Sequence, residues 1–264
     1  MTSQANGFSL GKWRVFWLIL LFLLTWLAAM IYALPASLVW SQASRYVQLP
    51  REVTVEAVGG SVWDGEALVK VAGRALRLDW QAGLPLWAEQ QWPIAWSLET
   101  RQSRIAGEVT NLATEGLSVG IDEGRIDLAE FASLARANGL TLNGQITIDR
   151  LRLQLNAQGW KEATGVARWS GGPVAWNLPT GRGQATMPPM VARLETRGDA
   201  LQAVVREESS STPLITSRLQ PTGWAHVEVH QRLLTLSGLQ IGKGNPPDKV
   251  VFQVKQRLMP PVGS

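Results

Sequence analysis

The chain has 264 residues, 45% of them apolar, which is enough for a packed core in one large domain or two small ones and too apolar for wholesale disorder. The formal charge is +4, but Lys12 and Arg14 precede every acidic residue, and the remainder is close to balanced. No Lys/Arg cluster with interleaved aromatics marks a nucleic-acid surface, and the absence of cysteine excludes disulfides, thiol catalysis and Cys-based metal sites.

The first element is the run VFWLILLFLLTWLAAMIYAL, residues 15–34, which holds no charge. As a helix rising about 1.5 Å per residue it would cover roughly 30 Å, the thickness of a bilayer's hydrocarbon core. Trp13 and Trp17 stand at one end, Tyr32 and Trp40 at the other, where amphipathic rings favour the membrane interface. Lys12 and Arg14 lie just before the run, so the positive-inside rule places the N-terminus in the cytoplasm. The rival reading, a cleaved signal peptide, expects a shorter apolar core and an Ala-x-Ala-like site, and no such site stands at a suitable position. The expected organisation is a cytoplasmic N-terminus over 1–14, a transmembrane anchor over 15–34, a linker over 35–50 and a periplasmic β-rich domain over 51–264.

From residue 51 short alternating runs follow one another. REVTVEAV puts Val53, Val55 and Ala57 on one face. EALVKVAGRALRLDW continues with Leu76, Leu78 and Trp80. TLNGQITIDRLRLQLNA alternates through Leu151, Leu153 and Leu155, with Asn143-Gly144 as a tight-turn signal. VARLETRGDALQAVVREE reads as a hairpin turning at Arg197-Gly198-Asp199, and HVEVHQRLLTLSGLQI and KVVFQVKQRL close the chain in the same style. Strict alternation means one buried face and one wet face, the pattern of antiparallel sheet.

One segment breaks the rhythm. IDLAEFASLARANGL spaces Leu128, Phe131, Leu134 and Ala135 helically, with Asp127 and Glu130 as a capping pair and Gly139 as the stop. It predicts a short amphipathic helix lying on the sheet. Linker-like stretches fall at 209–213, 178–189 and 242–247, and any subdivision of the domain falls near 178–189. The predicted fold is mostly β: an antiparallel twisted sheet with one short amphipathic helix, preceded by a single N-terminal transmembrane helix.

Chemistry-bearing constellations are few. His226, Glu228 and His230 in HVEVH would share one face of a strand and form a zinc- or iron-type ligand set. The plainer reading is a solvent-facing row whose partners, Val227 and Val229, enter the core. Gly-x-Ser-x-Gly, Gly-x-x-x-x-Gly-Lys-Ser/Thr and a dinucleotide glycine fingerprint are absent. Asp122/Glu123 and Glu207/Glu208 are adjacent pairs, which on a strand face opposite ways and read as solvated charges. No catalytic residue, cofactor site or metal site is assigned.

Tryptophan stands out at 13, against two Tyr and five Phe. Trp63 lies in GGSVWDG and Trp169 in GVARWSGG, and each is followed by another Trp, Trp80 and Trp176. Large rings over the core, relieved by neighbouring glycines, is the architectural reading. A carbohydrate-stacking platform built from rings such as Trp87, Trp92 and Trp96 is the functional rival.

In order and spacing these blocks resemble the type II secretion system protein N family. Gly60, Ser61, Val62, Trp63 and Gly65 match its first glycine–tryptophan block, and Leu78 and Trp80 match the strand that follows. Leu142, Gly144 and Ile146 match a Leu-x-Gly element, and Trp169 and Gly171 a later repeat. The similarity runs from the anchor to about residue 180. It implies a non-catalytic, single-pass inner-membrane component of the machine that exports folded proteins from the periplasm. Expected partners are inner-membrane platform subunits and the outer-membrane secretin, with lipid around the anchor and no nucleic acid. The alternative reading is a membrane-anchored β-rich carrier of lipid or glycan in the cell envelope.

Overall fold

The computed structural model describes residues 12–46, 49, 53–71, 73–83, 91–112, 116–137, 139–156, 159–178, 181–239 and 244–257. A helix forms where the apolar run predicts one: α1 (Lys12–Tyr32). Its described side chains, 16–27 and 29–32, are exposed at nearly every consecutive position, among them Phe16, Trp17, Leu18 and Ile19, so apolar groups face outward on all sides. Among the described residues no helix is long and apolar enough to cross a membrane. The expectation of a transmembrane helix over 15–34 is therefore not carried by the structure. Within the stretch expected as a linker, α2 (Ala36–Ala43) follows Pro35, buries Ala36 and packs on the first strand.

The body is an antiparallel sheet of thirteen strands. Its first half comprises β1 (Val53–Gly60), β2 (Asp64–Val71), β3 (Arg74–Ala82), β4 (Gln91–Glu99), β5 (Arg104–Leu112) and β6 (Gly116–Asp127). A 3-10 turn (Leu128–Phe131), α3 (Ala132–Ala137) and β7 (Leu140–Leu142) then leave the sheet. The chain returns as β8 (Gln145–Asn156) and β9 (Gly159–Trp169), leaves again as β10 (Gly172–Leu178) and β11 (Gly181–Met187), and comes back as β12 (Met190–Arg197). β13 (Ala200–Glu207), β14 (Pro213–Leu219), β15 (Trp224–His230), α4 (Gln231–Leu236) and β16 (Val250–Arg257) complete it. The two excursions find each other: β7 and β11 flank β10 in a second, three-stranded sheet, with Leu142 opposite Val174 and Leu140 opposite Trp176.

Register gives the large sheet one apolar face. Ala67 pairs Leu78, Leu78 pairs Leu98, and Leu98 pairs Ile105. Further along, Val109 pairs Val119, Val119 pairs Leu153, and Leu153 pairs Ala163. The opposite face carries cross-strand ion pairs such as Lys70–Glu56 at 2.6 Å, Arg77–Glu66 at 2.8 Å and Arg168–Asp149. Such exposed pairs each contribute at most about 1 kcal/mol; they mark the wet face rather than hold it.

A true core forms where the sheet gains a second layer. Leu214 is fully buried with Met187 and Met190, and Trp169, Val174, Ala185, Leu233 and Leu236 pack around them. Val174 and Ala185 come from the small sheet and the two leucines from α4, so these elements close over β9, β12 and β14.

Several expectations change. Asn143-Gly144 does not close a hairpin; it passes the chain from β7 in the small sheet to β8 in the large one. The stretch 178–189 contains β11, an edge strand that among the described residues pairs with β10 alone. QRLLTL, read as continuing a strand, is α4, because Leu233, Leu234 and Leu236 also fit one helical face, with Leu234 buried. Glu207, read as solvated, is only 11% exposed at its side chain and pairs with Arg232 of α4 at 2.9 Å. The architecture is mostly antiparallel β with a few short helices, rather than one.

Candidate functional site

The strongest concentration of unusual residues joins α1 to the sheet. The β1–β2 connection is tightened by Ser61, whose Oγ accepts from Trp63 N at 3.2 Å and Asp64 N at 3.0 Å. Gly60 opens this connection at φ +73°. The connection then docks on the end of the helix: Trp63 Nε1 donates to Ile31 O at 2.9 Å, and Val62 N donates to Leu34 O at 3.1 Å. Carbonyls at a helix C-terminus lack intrahelical partners; here Ile31 O accepts from Leu34 N at 3.3 Å as well as from Trp63 Nε1, and Leu34 O, just past the helix, accepts from Val62 N. The Trp63 ring stacks on Trp92, centroids 5.3 Å apart at 13°, and Trp92 Nε1 donates to Gly83 O at 3.1 Å. Trp80 Nε1 donates to Val62 O at 3.0 Å, and its ring lies over Gly65 directly across the strand pair. A Cβ at Gly65 would overlap that ring.

Gly144, Trp169 and Gly171 gather at the junction of the two sheets. Trp169 Nε1 donates to Asn143 O at 2.9 Å, while Gln145 N donates to Ser170 Oγ at 2.9 Å. Gly144 has φ +98°, and a Cβ there would stand 2.5 Å from Gly171 O and 2.8 Å from Trp169 Nε1. The seven glycine and tryptophan positions singled out in the sequence thus form two assemblies, on strands separated in the large sheet by β4, β5, β6 and β8. Trp176 on Gly183, in the small sheet, repeats the pairing of Trp80 with Gly65. Trp87 lies outside the described residues. Of the other rings considered for carbohydrate, Trp92 is stacked on Trp63 and Trp96 pairs Trp80 within the sheet.

The histidine–carboxylate row is not assembled as a ligand set. A register shift falls at Val229/His230, and His230 is buried at the start of α4. Its Nδ1 lies 2.8 Å from Asp248 O, which can only accept, so Nδ1 donates; its Nε2 lies 3.0 Å from Thr216 Oγ1. Both nitrogens are engaged. Among the described residues no group of three His, Asp or Glu is placed to hold a metal ion.

One buried carboxylate escaped the sequence reading. Asp127 does cap the 3-10 turn, accepting from Ala129 N at 2.9 Å, but Glu130 does not reach back to complete a capping box. It turns to the β4–β5 connection and accepts from Ser103 Oγ at 2.5 Å, Thr100 Oγ1 and Gln102 N at 3.0 Å. Ser103 Oγ in turn accepts from Asp127 N at 2.9 Å, so the connection and the turn are tied reciprocally. Burial pushes the Glu130 carboxyl upward most strongly of any single cause. The hydrogen bonds from Ser103, Thr100 and Gln102, with the charge of Arg74, together outweigh it and hold the group below its ordinary value. The signal in sequence was the pair of hydroxyl residues in TRQS, but nothing local says that a glutamate 27 residues beyond Ser103 completes it.

The arrangement is that of a β-sheet domain whose distinguishing groups are indole rings seated on glycines and fixed to backbone carbonyls, with no reactive centre assembled among the described residues. The family model described as type II secretion system (T2SS), protein N, matches residues 51–248, and the chain belongs to that family. No curated protein and no solved structure matches the chain. The match extends past residue 180 to β15 and α4, and begins after α1 and α2. Membership ties the protein to type II secretion, in a family known as a structural component of the secretion system rather than as an enzyme, and so to association with other components of that envelope machine.

Gly65→Ala is expected to cost about 2 kcal/mol, as overpacking of an ordered contact does, seen as a lower urea midpoint at unchanged m-value. Replacing Trp80 by Phe as well should recover part of the loss. An additive double mutant would show that ring and glycine are not coupled. Glu130→Gln should cost roughly 2 kcal/mol at neutral pH, because a carboxylate with several donors is replaced by an amide with one acceptor. With its native value depressed, the Glu130 contribution is complete above the ordinary glutamate range and vanishes as pH falls through the lower native value. The stability gap between wild type and Glu130→Gln should therefore close on acidification across that window; a gap independent of pH would contradict the assignment.

Proposed function

We propose that the protein is a non-catalytic, bitopic inner-membrane component of the type II secretion system. α1 crosses the inner membrane with the N-terminus cytoplasmic, and the sheet lies in the periplasm. The protein contributes to export of folded proteins through contacts with other subunits, first the inner-membrane platform proteins and second the secretin. The family match over residues 51–248 carries this reading. Lys12 and Arg14 ahead of an uncharged run support the orientation, and the apolar side chains exposed around α1 need a lipid surrounding.

The glycine–tryptophan assemblies are architectural in this reading. Gly60, Trp63, Gly65 and Trp80 fasten the sheet to the end of α1, so that a force or displacement at a subunit contact is resisted by the anchor. Gly144, Trp169 and Gly171 fix the small sheet on the large one. The subunit contact itself falls on β16, which among the described residues pairs only with β15. The opposite edge, β1, is backed by α2, whereas β16 presents Phe252 and Val254, about half exposed, beside a row of free backbone groups. An open edge of this kind adds a partner strand by main-chain hydrogen bonding.

Full-length protein purified from its native membrane after mild cross-linking should carry platform subunits or the secretin above a control consisting of the tagged anchor alone. Recovery of neither would remove the assembly reading. Because the chain has no cysteine, Ser209→Cys gives a single thiol on an exposed turn of the sheet domain. A membrane-impermeant maleimide should label it in intact spheroplasts; labelling only after lysis would reverse the topology.

A further inference from the structure

An open sheet ends in two edges, and each edge strand carries a row of main-chain N–H and C=O groups that a further strand can pair. Among the described residues the two sheets have four edges, and three of them are blunted. β1 shifts register between Val55 and Ala57 and has α2 packed against it. β7 is three residues long, and β11 carries Gly181 and Gly183 and no large apolar side chain before Met187. β16 is different. Its irregularity lies at its start, opposite Val229/His230, and from Phe252 to Arg257 it pairs residue for residue with Val229 to Trp224.

Charge also protects an edge, when it points inward along the apolar row. In β16 that row, opposite Val229, Val227 and Ala225, is Phe252, Val254 and Gln256. Phe252 and Val254 are 47% and 56% exposed. The cations Lys255 and Arg257 stand on the wet side instead, opposite His226 and Trp224. That side is short of carboxylate. The strand itself, VVFQVKQR, has two cations and no acid. Lys255 Nζ lies 5.0 Å from the centre of the Trp224 ring, a contact that leaves its charge unneutralised. Arg218 on β14 adds a further cation opposite His226. The one acid at the paired positions, Glu228, accepts from Gln253 at 3.4 Å. Among the described residues no carboxylate forms an ion pair with Lys255 or Arg257.

We propose that β16 takes, as an added antiparallel strand, an extended segment of another secretion subunit in which apolar residues alternate with Asp or Glu. This names the chemistry of the partner at the β16 contact and rests on the reading of that contact as the subunit interface. The segment's apolar residues cover Phe252 and Val254, and its carboxylates lie beside Lys255 and Arg257, cross-strand pairs of the kind that stabilise a sheet. Its main chain takes up the free N–H and C=O groups of the edge. A second copy of this chain does not supply that pattern: β16 set against β16 brings two cations from each copy and no carboxylate to the seam, and like charges across strands oppose pairing. An anionic lipid surface answers the cations but offers no alternating donors and acceptors to the main chain.

A zero-length carbodiimide, which joins a lysine amine to a carboxylate in contact with it, tests this in native membranes bearing the full-length protein. Lys255 should be joined to an Asp or Glu of another protein, in a cross-linked peptide located by mass spectrometry. Lys255→Arg should remove that adduct while leaving the partner's co-purification near wild type. Lys255→Glu with Arg257→Glu should lower co-purification about tenfold or more, as facing like charges do. Val254→Lys, which sets a charge in the apolar row, should do the same. These side chains are exposed, so far-ultraviolet circular dichroism should not change. Joining of Lys255 to a second copy of this chain, or co-purification undiminished in both charge variants, overturns the proposal. So does recovery of platform subunits or the secretin with no protein adduct at Lys255, a result that leaves the assembly reading standing. Recovery of no subunit at all sinks that reading itself.

Discussion

A wide antiparallel sheet with one continuous apolar face cannot stay flat and open in water. The hydrophobic free energy, about 25 cal/mol for each Å² removed from water, must be gained by covering the face or by curling it. Over β9, β12 and β14 the chain lays the small sheet and α4 on the face, and there alone are large side chains such as Leu214 fully buried. Over β3–β8 the same alternation leaves side chains such as Leu98, Ile121 and Leu153 half-buried. The ion pairs and arginines of the outer face keep that side wet.

The second constraint is the join between helix and sheet. A helix ending at Tyr32 has carbonyls in its last turn with no N–H of the helix to meet them, and a β-loop beside it has N–H groups to place. Trp63 and Val62 answer both needs at once, and the ring then closes its apolar side against Trp92. Domain and helix therefore meet through directed hydrogen bonds as well as a stacked ring. A flexible tether would decouple helix from sheet; this contact couples them.

Much of this was legible because it is local. Alternation marks REVTVEAV, TIDRLRLQL and VARLETR as strands, and Arg197-Gly198-Asp199 turns β12 into β13 as its residues require. The coincidence of glycine and tryptophan was visible as well, since a ring needs a missing Cβ beneath it. What was not legible is long-range choice. QRLLTL satisfies both a strand and a helical period, and the core around Met187 decides for the helix. GRGQATM carries too few apolar residues to announce a strand, and becomes one because β10 offers it an edge. HVEVH places three ligand-type side chains in a row, but the register shift at His230 and the partners Thr216 and Asp248 are set by β14 and the segment before β16.

Two enclosed carboxylates, Glu130 buried and Glu207 largely covered, decide how the outer polar groups should be read. Perturbed, enclosed acids often mark catalytic sites, and Glu130 is both enclosed and shifted. But its shift is toward the ionised form, its oxygens are taken up by Ser103, Thr100 and Gln102, and it opens onto no nucleophile or base. Glu207 is likewise held by Arg232. Each binds one structural element to another: the β4–β5 connection to the 3-10 turn, and β13 to α4. A general acid must instead keep its proton near neutral pH and face a cleft. These carboxylates are fasteners, and with the charge-free face beside them they describe a domain organised to hold shape and present surfaces, as a subunit of an envelope machine must.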